Sequence, residues 1–190
     1  MTLSRARVVD AAVGVLNDFG LESLSMRRLA TELGVQPGAL YWHVKSKQDL
    51  LAAIANRIVD GATRTRPSTE DPMSAVRSMA ADFRAALLNY RDGAEIVTLA
   101  QALTDTPLPV RHVMRSALEQ VMDATRAQWT AQALTHYVLG ATSEEQSHAE
   151  LTRAGVVAPG SDDTDALPRF LFGVDALLLG ASRLDGNSGT

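Results

Sequence analysis

The sequence of 190 residues contains no cysteine, so disulfide bonds and metal sites with thiolate ligands are both excluded. Aromatic residues make up only 5% of the chain and hydrophobic residues 46%, which predicts a core built mostly from aliphatic side chains. Long apolar runs are also missing. Asp10 and the arginines interrupt the N-terminal region, which is not typical of a signal peptide. No stretch approaches the roughly 20 residues that cross a bilayer. We therefore expect a cytoplasmic protein without a membrane partner.

Basic charge is scarce and unevenly distributed. The net charge of −4 by itself argues against a nucleic-acid partner. Residues 1–47, however, hold six Lys or Arg against four Asp or Glu, a balance of +2, so the other 143 residues carry −6. The chain's two lysines, Lys45 and Lys47, both lie at the end of this basic part. The distribution indicates a locally basic head on an acidic body.

Apolar residues recur at intervals of three and four along most of the chain, which predicts an all-α protein with no strand and no internal repeat. Gly20 and Gly34 would end the first two helices. Pro37 suits the first turn of the third helix, where a missing N–H costs no hydrogen bond. Ser46 followed by Asp49 resembles a capping box at the start of a fourth helix. Three short helices are expected over residues 4–19, 25–33 and a short segment from 37, and a longer helix over 47–62 leads away from them.

The helical pattern continues after a polar, proline-containing connector at residues 63–72. An acidic loop is expected at residues 155–165, with Asp165 as the cap of the last helix, and a disordered tail follows that helix. The expected body helices span residues 73–90, 94–103, 106 toward 126, 128–151 and 165–184. We therefore predict a three-helix head (1–47), a linking helix (48–63) and a ligand-binding and dimerisation domain (64–190).

The head has the spacing of a helix-turn-helix, with a glycine turn between two short helices. Arg27 lies at the exposed start of the second helix, where its planar guanidinium could pair with a guanine edge or a phosphate. Beyond the third helix come aromatic residues with polar tips and cationic residues that can donate to phosphate oxygens. These residues are Tyr41, Trp42, His43, Lys45 and Lys47. A plain helical bundle is the alternative, because glycine between amphipathic helices is common.

The segment SMRRLATELGVQPGALYWHVKSKQDLL, residues 25–51, resembles the DNA-binding head of the TetR family of bacterial one-component repressors. The resemblance implies that the third helix enters the major groove of double-stranded operator DNA. Arg27 would contact a base, and Pro37, Gly38 and Ala39 would face the groove. The aromatic pair and the residues after it would fix the orientation on the backbone. Since residues 37–39 offer few hydrogen-bonding side chains, base readout would depend on Arg27, methyl contacts and DNA shape.

The resemblance continues through FRAALLNYRDGAE, HYVLGATSEEQSH and FLFGVDALLLG, in the order found in the drug-binding members of that family. In those members a drug–magnesium chelate fills a tunnel and a histidine holds the metal. The resemblance puts Val97 at the histidine position, where it cannot ligate, although Glu144 fits the pattern. We therefore expect a more apolar effector, no chelated metal and no cofactor. The expected tunnel residues are Thr63, Met79, Phe83, Leu87, Val97, Trp129 and His136.

Several of the tunnel residues have another interpretation. Met79, Phe83 and Leu87 have the helical spacing that is typical of a core, and Trp129 could pack at a subunit contact. His136 and the pair Glu144 and His148, which lie four apart on one helix face, could suggest a metal site. With no third ligand at matching spacing, the alternative is a solvated helix face.

The last two long helices carry more apolar surface than one thin bundle needs, and the family resemblance implies that they pair with their copies in a homodimer. A dimer would also match two operator half-sites about one helical turn apart. We therefore predict a ligand-responsive repressor that a small molecule releases from DNA. The alternative is a DNA-binding regulator or architectural protein without an effector. No nucleophile constellation, phosphate-binding glycine loop or metal triad is present, so we expect no enzyme and no catalytic residue.

Overall fold

A computed structural model describes residues 2–62, 71–103, 107–158 and 165–184. These ranges contain nine α-helices and no strand, which confirms the all-α prediction. The head holds α1 (Arg5–Phe19), α2 (Met26–Glu32) and α3 (Pro37–Leu40), and the linking helix α4 (Lys47–Asp60) follows it. The body holds α5 (Pro72–Leu88), α6 (Gly93–Ala102), α7 (Pro109–Leu118), α8 (Ala124–Arg153) and α9 (Ala166–Arg183). A short 3₁₀ turn, Leu21–Ser23, follows α1.

Three serines begin α1, α2 and α4 in the same way. The hydroxyl oxygens of Ser4, Ser25 and Ser46 each accept from the backbone N–H three residues on, at 3.3, 3.2 and 3.1 Å. Each bond satisfies an N–H that has no partner within its own helix. Pro37 occupies the first turn of α3, as the sequence predicts. Gly20 ends α1 with a φ of 79°, a backbone conformation that suits glycine.

The boundary between α7 and α8 differs from the sequence prediction because Asp123 caps the start of α8. Oδ1 of Asp123 accepts from the N–H groups of Thr125 at 3.0 Å and Arg126 at 3.1 Å. The preceding helix therefore ends at Leu118 instead of continuing toward Arg126, and α8 begins at Ala124 rather than at residue 128.

Two further caps also depart from expectation. Asp71 accepts from the N–H of Ser74 at 3.1 Å, so α5 begins at Pro72, inside the segment predicted as a connector. Asp165 was expected to cap α9, but its side chain makes no capping hydrogen bond. The predictions for residues 63–70, 104–106, 159–164 and 185–190 lie outside the described residues.

Head and body share one hydrophobic core, which runs from Val8 in α1 to Leu178 in α9. The fully buried side chains of α4, among them Leu50, Ile54 and Ile58, belong to this cluster. α4 packs against α1 on the head side and against α5 and α6 on the body side. The linking helix is therefore a packed element between the two parts.

Candidate functional site

Helices α2 and α3 form a helix-turn-helix whose inner side is closed by aliphatic side chains. Leu29 and Leu40 are fully buried, and across the turn the N–H of Val35 donates to the carbonyl oxygen of Ala30 at 2.9 Å. Gly34 adopts a φ of 65° there, a left-handed conformation that favours glycine. These contacts fix the direction of α3 relative to α2.

Residues 41–47, which we call the exposed turn, connect α3 to α4. The turn is anchored by Leu40 and Val44, which are both fully buried. Between these anchors, Tyr41 is 51% and Trp42 88% exposed. An indole left this open to solvent contributes little to the fold, so its presence points to contact with another molecule.

The predicted DNA-binding residues all belong to α2, α3 or the exposed turn. Seven of the nine are exposed, while Ala39 and His43 are partly buried. The seven exposed residues are Arg27, Pro37, Gly38, Tyr41, Trp42, Lys45 and Lys47. The two lysines and the two aromatic residues combine cationic and polar donors on one short segment, which suits a sugar–phosphate backbone.

An ion pair that the sequence did not predict closes the base of the exposed turn. Arg5 donates from Nη2 to Oδ1 of Asp49 at 2.7 Å and from Nη1 to Oδ2 at 3.0 Å. Nη1 also donates to the carbonyl oxygen of His43 at 2.9 Å, and Oδ2 accepts from the N–H of Lys45 at 2.9 Å. The hydrogen bonds from Arg5 and from the Lys45 N–H hold the pKa of Asp49 at about 2, so this carboxyl is ionised in any ordinary buffer.

The turn between α5 and α6 is held from the body by one glutamine. Nε2 of Gln146, in α8, donates to the carbonyl oxygens of Leu87 at 3.2 Å and Tyr90 at 2.7 Å. Its Oε1 accepts from the N–H of Ala94 at 3.1 Å. One side chain thereby satisfies three backbone groups at the end of α5 and the start of α6.

The same turn also contacts the head. Oδ2 of Asp92 accepts from the N–H of Leu21 at 2.7 Å, and the N–H of Arg91 donates to Oδ1 of Asn17 at 3.1 Å. The Arg91 guanidinium pairs with Glu150 of α8. This segment therefore joins α1, the 3₁₀ turn and α8, although the sequence indicated only a turn here.

The expected tunnel residues divide into two groups. Phe83, Leu87 and Val97 are fully buried in the core and Met79 is partly buried, whereas Trp129 is 64% exposed and His136 is exposed as well. Thr63 lies outside the described residues. The structure thus places the first four in or against the core and leaves the two α8 residues on the surface of the single chain.

An open cleft of about 1180 Å³ lies elsewhere, between α1, the α5–α6 turn, α8 and α9. The stacked rings of Tyr137 and Phe170 form one part of its wall, and polar side chains such as Glu144 and His148 form another. None of the expected tunnel residues lines it. Periodicity could not reveal this cleft because its walls come from four separate segments.

The residues present do not fit the magnesium site that the family resemblance implies. Val97 offers no ligand atom, and its side chain is fully enclosed. Across the described ranges, no three His, Asp or Glu side chains come together where they could share a metal ion.

None of the helices in these ranges is long and apolar enough to cross a membrane.

Comparisons with known proteins agree with the geometry of the head and the body. The sequence model for bacterial regulatory proteins of the tetR family matches residues 8–54. The class D tetracycline repressor protein of Escherichia coli is 32% identical over 193 residues, covering 94% of this chain and 88% of that protein.

Solved structures extend the similarity to the whole described fold. Mycobacterium smegmatis BioQ is 32% identical. Its structure matches with a TM-score of 0.86, and the match covers 96% of this chain and 99% of the other. A structure of BioQ with its natural double-stranded DNA operator has a TM-score of 0.80 at 32% identity, covering 95% and 99%. A TetR variant from Acinetobacter baumannii AYE, solved with minocycline, has a TM-score of 0.78 at 33% identity, covering 96% and 98%. The helix-turn-helix head, the all-α body and these similarities together mean that the chain belongs to the TetR family of DNA-binding transcriptional regulators.

Proposed function

We propose that this protein is a homodimeric transcriptional repressor that binds a palindromic operator and is released from it by a small-molecule effector. The observation that carries the proposal is the exposed turn, where Trp42 is 88% exposed beside two lysines at the end of a helix-turn-helix. Such a regulator acts where the chromosome is, so we infer a cytoplasmic location. We assign it no catalytic activity.

Dimerisation is supported by the outer faces of α8 and α9. Phe172 and Leu179, seven apart on α9, are 75% and 52% exposed, and Trp129 on α8 is 64% exposed. Gly140 and Gly180 have no atom within 4 Å of the position that a Cβ would take, which leaves room for a second helix to approach. Large apolar side chains beside small residues are typical of a helix–helix interface. A second copy would cover this surface and present two heads to the DNA.

The operator and the dimer are tested together by footprinting the DNA that flanks the protein's own gene. We expect protection of two inverted half-sites about one helical turn apart, because each head enters one major groove. Phe172→Glu buries a charge at the proposed interface, so it should give a monomer in analytical ultracentrifugation and abolish protection at concentrations that saturate the wild type.

The matched control is Leu103→Glu, which changes a leucine that is 51% exposed at the end of α6, on neither of the two helices of the proposed interface. This variant should remain dimeric and protect the same DNA. A wild-type protein that protects no inverted repeat would contradict the repressor proposal. A Phe172→Glu variant that stays dimeric would contradict the proposed interface.

The effector is proposed to bind without a chelated metal. Val97 is fully buried in the apolar core and has no ligand atom, so a pocket that opened beside it would favour an apolar ligand. A thermal-shift measurement with tetracycline, with and without Mg²⁺, tests this point. We expect no rise in melting temperature that depends on Mg²⁺, whereas specific binding at 100 times Kd would add about 2.7 kcal/mol of stability. A rise that EDTA abolishes would overturn the proposal.

A regulator without any effector is the second candidate, and one observation favours it. Phe83, Leu87 and Val97 are all fully buried, and the cleft of about 1180 Å³ is lined by none of them. A screen of apolar small molecules against the operator complex separates the two candidates. A compound that releases the DNA and raises the melting temperature of the free protein supports the effector-responsive repressor.

A further inference from the structure

The exposed turn lacks the regular backbone hydrogen bonds of a helix. α3 ends at Leu40, after a single turn, and α4 begins at Lys47. The N–H groups of His43 and Val44 both donate to the Leu40 carbonyl oxygen at 2.9 Å. No helix ladder fixes the next backbone groups, namely the carbonyl of His43 and the N–H of Lys45. A segment of this kind orders on binding DNA at an entropic cost unless something else holds it.

Both of these groups are held by one ion pair. The Arg5 guanidinium donates to the His43 carbonyl oxygen at 2.9 Å, and the Asp49 carboxylate accepts from the Lys45 N–H at 2.9 Å. The two side chains then bond each other in bidentate geometry, at 2.7 and 3.0 Å. The backbone on both sides of Val44 is thereby tied to the first residue of α1 and the first turn of α4.

Bidentate geometry matters here because it fixes orientation as well as distance. A guanidinium and a carboxylate that share two parallel hydrogen bonds lie in a common plane. Arg5 also donates to the carbonyl oxygen of His43, and this third hydrogen bond fixes the plane of the ion pair relative to the exposed turn. Lysine could supply the charge at residue 5 but not this planar set of donors.

We propose that Arg5 and Asp49 are positioning residues for operator recognition, which hold the exposed turn in its DNA-binding conformation without contacting DNA themselves. The proposal rests on the proposed function, because it assumes that this turn meets the operator. It adds two residues outside the predicted DNA-binding set, one of them 38 positions from the backbone group it holds.

The chain provides a matched control for the ion pair. Arg57 of α4 pairs with Asp10 of α1, so it also links α1 to α4 through exposed side chains. Arg57→Ala therefore removes one positive charge and one ion pair between the same two helices, as Arg5→Ala does. It leaves the bonds to the exposed turn intact. A loss that is only structural or electrostatic should be similar in the two variants.

The test measures operator affinity over a range of salt concentrations. Arg5→Ala and Asp49→Ala should each weaken binding about tenfold, Arg57→Ala less than twofold, and Arg5→Lys should recover only part of the loss. The slope of log K against log salt should not change in Arg5→Ala. Lys47→Ala, which removes a predicted phosphate contact, should change that slope by about 0.9.

A double-mutant cycle and amide hydrogen exchange complete the experiment. The Arg5→Ala/Asp49→Ala variant should bind about as well as either single variant, because both remove one unit. In the free protein, the Lys45 amide should exchange faster in Asp49→Ala and Arg5→Ala but not in Arg57→Ala.

Three results would overturn the positioning role. They are a change of slope near 0.9 in Arg5→Ala, equal losses in Arg5→Ala and Arg57→Ala, and unchanged exchange at Lys45. If the wild type protects no operator, the proposed function fails by itself. The exchange measurement then still decides whether the ion pair holds the turn.

Discussion

Gly93→Ala is expected to lower the free energy of unfolding by roughly 3 kcal/mol, the upper end of what overpacking costs. A Cβ at this position would lie 2.3 Å from the carbonyl oxygen of Leu87, and a backbone atom cannot swing aside as a side chain can. The turn between α5 and α6 must therefore open. Urea denaturation at fixed protein concentration measures the change.

The loss should extend to the contact between head and body. Gly93 follows Asp92, which holds the N–H of Leu21 and has a φ of 55°, a conformation with little freedom to adjust. Opening the turn would also pull it away from Gln146. We therefore expect the amide of Leu21 to lose protection from hydrogen exchange in Gly93→Ala, together with the drop in stability.

Gly14→Ala is the matched control for this substitution. Gly14 lies in α1, is exposed and has no atom within 4 Å of the point where an added Cβ would lie. The same chemical change should therefore stabilise the protein by roughly 0.5–1 kcal/mol, because alanine is the better helix former. Similar values for the two variants would mean that the close contact at Leu87 does not exist in solution.

Phe83→Ala is expected to cost about 3–5 kcal/mol of stability, the range for removing a buried aromatic ring. Phe83 is fully buried in α5 and is among the largest fully buried side chains of the described residues. Its helix packs against α7 and α8, and packed helices do not fully close the space that a removed ring leaves. The change is again measured by urea denaturation at one protein concentration.

Phe83→Leu serves as the comparison, since it keeps most of the apolar volume and should cost less than half as much. A loss below about 1 kcal/mol in Phe83→Ala would mean that the ring borders open space in solution. That outcome would favour the tunnel expected from the family resemblance over the packed core.

The parts of this fold that the sequence predicted depend on residues close together in the chain. Ser46 and its partner Asp49 are three apart, so a capping pattern reveals the bond between them. The anchors Leu40 and Val44 and the exposed residues between them are also a local pattern. The helices, the glycine turn and the exposed turn were predictable for this reason.

The parts of the fold that the sequence did not predict depend on residues far apart in the chain. Arg5 and Asp49 are 44 positions apart, and Leu21 and Asp92 are 71 apart. No periodicity links such pairs, because they meet only after the helices have packed. The role of Phe83 is undetermined from sequence for a similar reason, since a helical stripe of apolar residues looks the same whether it faces a core or a tunnel.

The shared core determines where this chain could be divided. Leu50, Ile54 and Ile58 of α4 are fully buried in the same cluster that contains Val8 of α1. A fragment that stopped before α4 would leave the inner side of the head without its cover, and a body that lacked α4 would expose the face of α6. Exchange of DNA specificity between relatives by grafting whole heads would therefore have to carry α4 along and repack its contact with α6. If the proposed function holds, substitution of the exposed side chains in α2, α3 and the exposed turn would change DNA specificity without disturbing this shared core.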